Sequence, residues 1–437
     1  MSPTTSPALP HPDPSDVPGT GASGPGTPGP DTPATGTPRS DTPGLGARLP
    51  RVALESLPDS CQAGPGVRIH ARRLTVGEDV RIGAGTTIVG DDVVLGDGTA
   101  IGPGCDLRAG TLHLGSGTEV GPRVRVLVAE RFVVGAAARL ATGAEVLCRD
   151  FTAGRLFYFG DGARVGYGGT TTSTARVRVG DRVTIGQHTI LNANHEITVG
   201  DGVGTGSYLA VWTHGYHFGH GPLNGTQPAY APVHIGRDVW LGYHVTVLPG
   251  AHVGDDTVVA AGSVVTAPIP AGVLAGGVPA RAKKPLDLRP VPDDLAHDAV
   301  RDALRAWQTE LDWKGCLVEW HEGQDAPGCL ARLTVSLPDG SHRTHVVLLA
   351  PGAPRPTAPP AGEALAIVTL ADDPATPRPD GPVALFELRS GRLSGHTSPV
   401  VEDLRDQLRR HAMPCGDDRC FSSIEPEAFA RLKEAAA

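Results

Sequence analysis

The chain has 437 residues, of which 58 are glycine, 41 are proline and only 4% are aromatic, and a chain of this length is expected to form two or three domains. Its net charge of −9 argues against a nucleic-acid or anionic-membrane surface, and no apolar run reaches the roughly eighteen residues of a membrane span. The seven cysteines are scattered and no secretory signal opens the chain, so we expect reduced thiols in a cytoplasmic protein.

Residues 1–55 are dominated by Thr, Ser, Pro, Gly and Asp, as in TPGPDTPATGTPRSDTPG. Such a segment buries too few apolar side chains to offset the entropy that is lost on ordering. We therefore expect a disordered Pro/Gly/Thr-rich tail.

Residues 66–285 follow a six-residue period. An aliphatic residue followed by glycine recurs in VGEDVRIGAGTTI at 76–88, LGDGTAIGPGCDL at 95–107 and VGDRVTIGQHTIL at 179–191. A short fixed period predicts a solenoid, here a mainly β protein built as a parallel β-helix of triangular coils with about eighteen residues each. At about 4.8 Å per coil, about ten coils would stack into a prism about 45–50 Å long.

The triplet Val80, Arg81 and Ile82 shows how one strand of a coil is expected to lie. Period-two alternation sends Val80 and Ile82 inward and Arg81 outward. We expect the glycines after such triplets, for example Gly83 and Gly186, to occupy corners with positive φ.

Three outward positions near the end of the repeat are apolar. Trp240 lies between the inward residues Val239 and Leu241, and Val258 and Val264 point outward in the last coil. Apolar outward side chains indicate contact with a ligand or with another subunit, and the residues alone leave both alternatives open.

Two less regular stretches carry unusual side chains. Residues 150–176 hold three phenylalanines and two tyrosines, which predicts either an acceptor-binding wall or a packed plug. The excursion from about 212 to 233 contains His214, His217 and His220. A neutral imidazole accepts a proton near pH 7, which suits a general base; a metal site and a solvated polar loop are the alternatives.

Residues 290–437 change in character and predict a small α+β domain. PDDLAHDAVRDALRAWQTELDW predicts a helix with one apolar face, formed by Leu295, Ala299, Ala303, Trp307 and Leu311. Five strand-like runs and a second helix in VVEDLRDQLRRHAM follow, and Trp307, Trp313 and Trp320 are expected in the core. Acceptor binding, docking of a carrier protein and regulation all stay open as roles for this domain.

Residues 232–284 resemble the C-terminal signature of the hexapeptide-repeat acyltransferases, which include galactoside, maltose and xenobiotic acetyltransferases. The elements IGRDVWLG, PG, AGSVVT, IP and GGVPAR stand in that family's order and spacing. The resemblance implies a left-handed parallel β-helix and a homotrimer, with acetyl-CoA or another acyl-CoA in the groove between neighbouring prisms and no metal ion. It implies acyl transfer to a hydroxyl or amine of a small polar acceptor, such as a sugar or a natural-product intermediate.

The resemblance also suggests site residues. His214, at the start of the excursion, matches the catalytic histidine of the family; His217 is the alternative and His220 matches less well. Asn194 and Trp212 are assigned to the acceptor. The acyl-CoA contacts are assigned to Trp240, Tyr243, Ala261, Gly262, Thr266, Arg281, Lys283 and Lys284. Ala267 stands where many relatives have a lysine, so one phosphate contact is expected to be missing or replaced.

Two other functions remain open. The first is a non-enzymatic trimeric β-helix that acts as a scaffold for the flanking regions. The second is a γ-type carbonic anhydrase, which uses the same prism and three zinc-binding histidines; the candidates for these ligands are His188, His195, His214 and His217.

Overall fold

A computed structural model of the protein describes residues 49–54, 57–166, 172–215, 221–323, 327–356, 358–371, 378–416, 423–426 and 429. Most of the predicted tail, 1–48 and 55–56, lies outside these residues. The coils of the repeat extend from Gln62 to Pro285, and the first α-helix begins at Asp293. A mainly β solenoid followed by a small α+β unit is thus confirmed, while the division into separate domains stays a prediction.

Each coil of the solenoid has three sides, and the first side is a sheet of twelve short strands. Neighbouring strands pair in parallel, apart from the last two, which pair antiparallel. These strands are Gln62–Ala63, Arg81–Ile82, Ala100–Ile101, Glu119–Val120, Arg139–Leu140, Tyr158–Phe159, Thr184–Ile185, Gly204–Thr205, Trp240–Leu241, Val258–Val259, Val273–Gly276 and Arg281–Pro285.

The second and third sides belong to one parallel sheet that bends at the corner between them. In the early coils single long strands run through this corner: Arg68–Val76, Thr87–Leu95, Asp106–Leu114 and Arg125–Val134. Later second-side strands are Glu145–Cys148, Arg164–Val165, Ile190–Asn192, Ala210–Trp212, Thr246–Val247 and Val264–Val265. Later third-side strands are Asp150–Ala153, Arg176–Val179, Ile197–Val199, Val233–Ile235 and His252–Val253.

The predicted alternation of inward and outward side chains is confirmed. Val80 and Ile82 are 0% and 3% exposed, whereas Arg81 between them is exposed. The same pattern in every coil builds one continuous aliphatic core along the axis of the prism, as expected when each coil buries its apolar face against its neighbours.

The aromatic stretch at 150–176 is part of that core. Phe151, Phe157 and Phe159 are at most 1% exposed, and together with Phe132 they form a row in which successive ring centroids are 5.4–6.0 Å apart. For the phenylalanines the packed plug is therefore the correct alternative, and they do not form an acceptor wall. Residues 167–171 lie outside the described residues.

The reason for the glycines at the corners differs from the prediction. Positive φ falls two positions later, at Gly85 (71°) and His188 (54°), and not at Gly83 or Gly186. At Gly83 a Cβ atom would lie 2.4 Å from the backbone nitrogen of Pro103 in the next coil. Glycine is needed there because neighbouring coils approach each other closely.

The excursion around the histidines interrupts the stacking without changing it. Gly204 pairs with Trp240, 36 positions later, and Val233 resumes the third side beside Ile197. At the base of the excursion the short strands His214–Gly215 and Ala229–Tyr230 pair antiparallel, and a 3₁₀ turn spans Pro222–Asn224.

The C-terminal part is a six-stranded mixed sheet with two helices on one face. The helices are α1 (Asp293–Trp313) and α2 (Pro399–Arg410), and both pack on the same apolar side of the sheet. The strands pair in chain order: Leu317–Glu322, Cys329–Ser336, Arg343–Leu349, Ala364–Thr369, Val383–Glu387 and Arg392–Gly395. The third, fourth and fifth strands are parallel to one another, and the remaining pairs are antiparallel.

Part of the predicted core of this unit is wrong. Trp307 is fully buried, but Trp313 is 64% exposed and Trp320 is half-buried. Leu295 and Ala299 are exposed, because α1 turns a neighbouring stripe toward the sheet. That stripe consists of Ala296, His297, Val300, Ala303, Leu304, Trp307 and Leu311.

Within the described part of the chain, no helix has both the length and the apolar character to cross a membrane. The six cysteines found there are Cys61, Cys105, Cys148, Cys316, Cys329 and Cys415, and none forms a disulfide.

Candidate active site

His214 lies at the corner between the second and third sides, which we call the histidine corner (residues 192–196 and 212–214). The residue is half-buried and lies opposite Tyr230 in the strand register of the hairpin. The ring centroids of His214 and Tyr230 are 6.3 Å apart in a stacked arrangement, and Trp212 meets the imidazole edge-on at 5.8 Å. Two aromatic rings therefore hold the imidazole where the chain leaves the prism.

Thr213 anchors the histidine corner from inside the prism. Its side chain is fully buried; the hydroxyl donates to the carbonyl oxygen of Asn192 at 2.8 Å and accepts from the backbone N–H of His195 at 3.0 Å. Because the hydroxyl joins two neighbouring coils, it fixes the backbone from which His214 projects.

Burial sets the charge of His214. Desolvation lowers the pKa of its imidazole below the ordinary value of 6.5, because loss of water disfavours the charged form. The imidazole is thus mostly neutral at pH 7 and able to accept a proton.

The residues assigned to the acceptor lie at the same corner. Asn194 occupies the turn directly above Thr213, and its carbonyl oxygen accepts hydrogen bonds from the hydroxyls of Thr172 and Thr174 at 2.8 and 2.7 Å. Trp212 is half-buried beside His214. Thr266, which the resemblance assigns to acyl-CoA, also lies in this column, two strand spacings or about 10 Å from Trp212 along the prism axis, and is exposed.

Tyr243, Ala261 and Gly262 lie at a different corner, between the first and second sides. We call this the aromatic corner (residues 186–188, 206–208, 242–244 and 260–262). Tyr208 and Tyr243 are 46% and 57% exposed, with ring centroids 5.8 Å apart. His188 continues the stack, 5.2 Å from Tyr208. An exposed aromatic ladder therefore follows this edge of the prism.

Trp240 and the predicted basic residues lie on the first side, next to the aromatic corner. Trp240, 49% exposed, projects over Gly204, where a Cβ atom would lie 2.9 Å from its ring. The outward column continues through Val258 and Leu274 to Lys284. Arg281, Lys283 and Lys284 are all exposed on the last strand of this side.

The assigned residues thus fall into two groups that one copy of the chain keeps apart. Asn194, Trp212, His214 and Thr266 flank the histidine corner. Trp240, Tyr243, Ala261, Gly262, Arg281, Lys283 and Lys284 flank the aromatic corner. The five residue steps from Tyr208 to Thr213 across the second side correspond to about 17 Å at about 3.3 Å per residue.

The metal alternative gains no support from the geometry of one chain. Among the described residues no three His, Cys, Asp or Glu side chains converge as a metal site would require. His188 lies at the aromatic corner, whereas His195 and His214 lie at the histidine corner. His217 and His220 belong to residues 216–220, outside the described residues.

Several neighbours of His214 were not singled out from the sequence. Thr213 could have been, since alternation after Val211 and Trp212 places it inward, where a hydroxyl needs partners. Tyr230 could not, because no period relates it to His214 across the excursion. The Tyr208–Tyr243 contact follows from the coil register once the excursion between them is recognised.

Residues 232–267 match the family described as bacterial transferase hexapeptide (six repeats). The chain is 33% identical over 116 residues to the galactoside O-acetyltransferase of Escherichia coli (strain K12), a match that covers 25% of this chain and 57% of that protein. The chain therefore spans little more than half the length of this curated relative.

Two solved structures are also similar. A maltose O-acetyltransferase from Clostridium difficile 630 is 27% identical, with 32% of this chain and 71% of that chain covered and a TM-score of 0.26. A hexapeptide-repeat acetyltransferase from Vibrio cholerae O1 biovar eltor, complexed with acetyl-CoA, is 28% identical, with 29% and 67% covered and a TM-score of 0.26.

A parallel β-helix with a six-residue repeat defines the class of protein to which this chain belongs. Within that class, the chain resembles the hexapeptide-repeat acyltransferases over the matched residues.

Proposed function

We propose that the protein transfers an acyl group from acyl-CoA to a hydroxyl or amine of a small polar acceptor, with His214 as the general base. The observation that carries this proposal is the neutral imidazole held between Trp212 and Tyr230 at the start of the excursion. The family match of residues 232–267 and the likeness to galactoside O-acetyltransferase support the acyl-transfer chemistry.

The reaction requires one base. An acceptor hydroxyl or amine that attacks the thioester carbonyl loses a proton as the new bond forms, and the thiolate of CoA leaves. A neutral imidazole within hydrogen-bond distance takes this proton, an effect worth about 10²–10⁴ in rate. The stacked rings limit the rotation of His214, so that its orientation is set before the acceptor binds.

The aromatic corner and the first side supply the surface for acyl-CoA. Trp240, Val258 and Leu274 form an outward apolar column that ends at Lys284, three strand spacings or about 14 Å from Trp240. The pantetheine arm lies along this column, and the phosphates meet the exposed charges of Arg281, Lys283 and Lys284. Ala267 contributes no charge, so these three residues bind the phosphates without it.

The active site is completed between two copies of the chain. About 17 Å separates the two corners on one prism, so the histidine corner of one copy faces the aromatic corner of the next, as in a homotrimer. The second side lies between the two corners, and its outward-facing residues support such a contact. Their column is charged at Asp106, Arg125, Glu145 and Arg164, whereas the coils that carry the site have Ile190, Ala210 and Val264, with Thr246 before the last.

Release of CoA from acetyl-CoA by the purified full chain, with galactosides, maltose and amino sugars as trial acceptors, tests the proposed base. We expect His214→Ala to lower kcat about 10²–10⁴-fold. His252→Ala, which removes an exposed imidazole from the third side, is the matched control and keeps full activity. His217→Ala decides between the two candidate bases. Equal activity of all variants would refute a histidine base, and absence of acetyl-CoA binding in calorimetry would leave the scaffold function.

Subunit mixing tests the completion of the site between copies. Protein with His214→Ala and protein with Trp240→Ala are each expected to be impaired. When the two are unfolded together and refolded as mixed oligomers, random pairing of corners restores about a quarter of the native sites. No gain over the separate variants would show that both groups act within one copy.

A further inference from the structure

The face of the C-terminal sheet opposite the helices carries a pocket of about 200 Å³. No described helix covers this face. Instead, the proline-rich residues 350–356 and 358–363 lie beside a small apolar cluster of Val347, Leu349, Leu365 and their neighbours, with Ala353 packed against it. The pocket lies between these side chains and the prolines Pro354, Pro356, Pro359 and Pro360. One wall is therefore the sheet, and the other is a proline-rich segment with few backbone N–H donors.

Two of the other side chains at this pocket have charged partners, while His321, the neighbour of Arg332 in the sheet register, is exposed. Glu322 accepts a hydrogen bond from the indole N–H of Trp320 at 3.1 Å and pairs with Arg305. His345 pairs through Nε2 with Glu363, and its Nδ1 lies 3.2 Å from the hydroxyl of Thr334. These contacts engage Glu322 and His345 from within the protein.

Arg332 is different. It pairs with Val347 in the sheet register, which places its side chain on the pocket face. The residue is half-buried, no described carboxylate lies within ion-pair distance, and its Nε is buried without a hydrogen-bond acceptor. A partly desolvated guanidinium without a counter-charge is costly, and an anion that pairs with it gains correspondingly.

We propose that this pocket binds a small organic carboxylate, whose charge pairs with Arg332 and whose apolar body packs against Val347, Leu349 and Leu365. The volume is below the roughly 300–1,000 Å³ of sites for drug-sized ligands, so the ligand is a short branched or aromatic acid and not a nucleotide or a lipid. This site lies in the α+β unit and is independent of the acyl-transfer site proposed for the solenoid.

Binding of 3-methylbutanoate to the full chain, compared with its neutral analogue 3-methylbutanamide, tests the proposal by calorimetry. We expect the carboxylate to bind and the amide to bind at least about tenfold more weakly, since a charge-assisted pair is lost. Arg332→Gln removes the difference between the two compounds. Arg343→Gln, which changes an exposed arginine on the neighbouring strand outside the pocket, leaves it intact. Equal binding of acid and amide, equal affinity in the Arg332 variant, or no saturable binding of the acid overturns the proposal.

A measurement on the unaltered protein guards against a folding defect in the variant. Cys329 lines the pocket and is half-buried, as is Cys61 in the solenoid. We expect 3-methylbutanoate to slow alkylation of Cys329 several-fold, with Cys61 in the same sample unchanged. Equal rates at Cys329 with and without the acid would refute binding at this pocket.

Discussion

Replacing Thr213 by valine tests whether a single buried hydroxyl holds the histidine corner. The substitution keeps the shape of the side chain but removes the bond to the carbonyl of Asn192 and the acceptor of the His195 N–H. One lost hydrogen bond costs about 1 kcal/mol, and a donor left unsatisfied about 1–3 kcal/mol. We therefore expect the free energy of unfolding of the solenoid to fall by about 2–4 kcal/mol.

Thr189 provides a matched control in the preceding coil. It is also fully buried, but its hydroxyl has no hydrogen-bond partner among the described residues. Thr189→Val removes a desolvated polar group without breaking a bond, so it should be neutral or stabilising by about 1 kcal/mol. Thr213→Ser keeps the hydroxyl and should lose only the methyl contribution of about 1 kcal/mol.

Urea unfolding followed by far-ultraviolet circular dichroism gives the overall change, and hydrogen exchange over residues 190–215 locates it. In Thr213→Val the amide of His195 should exchange faster, while in Thr189→Val it should not. If the two valine variants changed stability by the same amount, the hydroxyl of Thr213 would have no special role in fixing the corner.

Three other outcomes are expected. Gly83→Ala should destabilise the solenoid by about 3 kcal/mol, because the new Cβ atom would collide with the backbone of the next coil. Gly85→Ala should cost only roughly 1–2 kcal/mol, because its Cβ atom would meet open space and the cost is that of positive φ. Equal losses of stability in thermal denaturation would contradict this. Asp403→Asn should lower the free energy of unfolding by about 3–5 kcal/mol, because it leaves the buried ammonium group of Lys314 without its counter-charge. Asp287→Asn, at the exposed pair with Arg289, should leave the melting temperature unchanged. The kcat/KM for acyl transfer should rise with pH and level off with a midpoint below 6.5, because burial lowers the pKa of His214 and only the neutral imidazole accepts a proton; His214→Ala should lack this limb.

The architecture of the solenoid was predictable because one physical rule repeats along it. Each short strand alternates inward and outward side chains, so the burial of Val80, Arg81 and Ile82 follows from their order. The same rule places Trp240 outward and Thr213 inward. The excursion was predictable as well, because the period stops at Trp212 and resumes at Val233.

The predictions failed where a property depends on contacts between elements that no period relates. The repeat predicts positive φ at Gly83 and Gly186, whereas the close approach of the next coil is what requires glycine at Gly83. Periodicity placed Leu295 on the buried face of α1, but the sheet selects a neighbouring stripe of the helix. Trp313 is apolar and aromatic, yet it comes at the end of α1, where no described sheet strand covers it.

The candidate site also depends on contacts that no period in the sequence relates. Residues about twenty positions apart in the sequence lie on neighbouring strands, as Asn192 and Trp212 do. The sequence therefore indicates which residues share a corner. The sequence alone does not indicate that the histidine corner and the aromatic corner lie at opposite edges of the second side of the prism. The resemblance assigns His214 and Tyr243 to a groove between neighbouring prisms, and one copy of the chain keeps them about 17 Å apart. The proposed reaction therefore takes the two groups from neighbouring copies, an arrangement that the mixing of His214→Ala and Trp240→Ala chains tests.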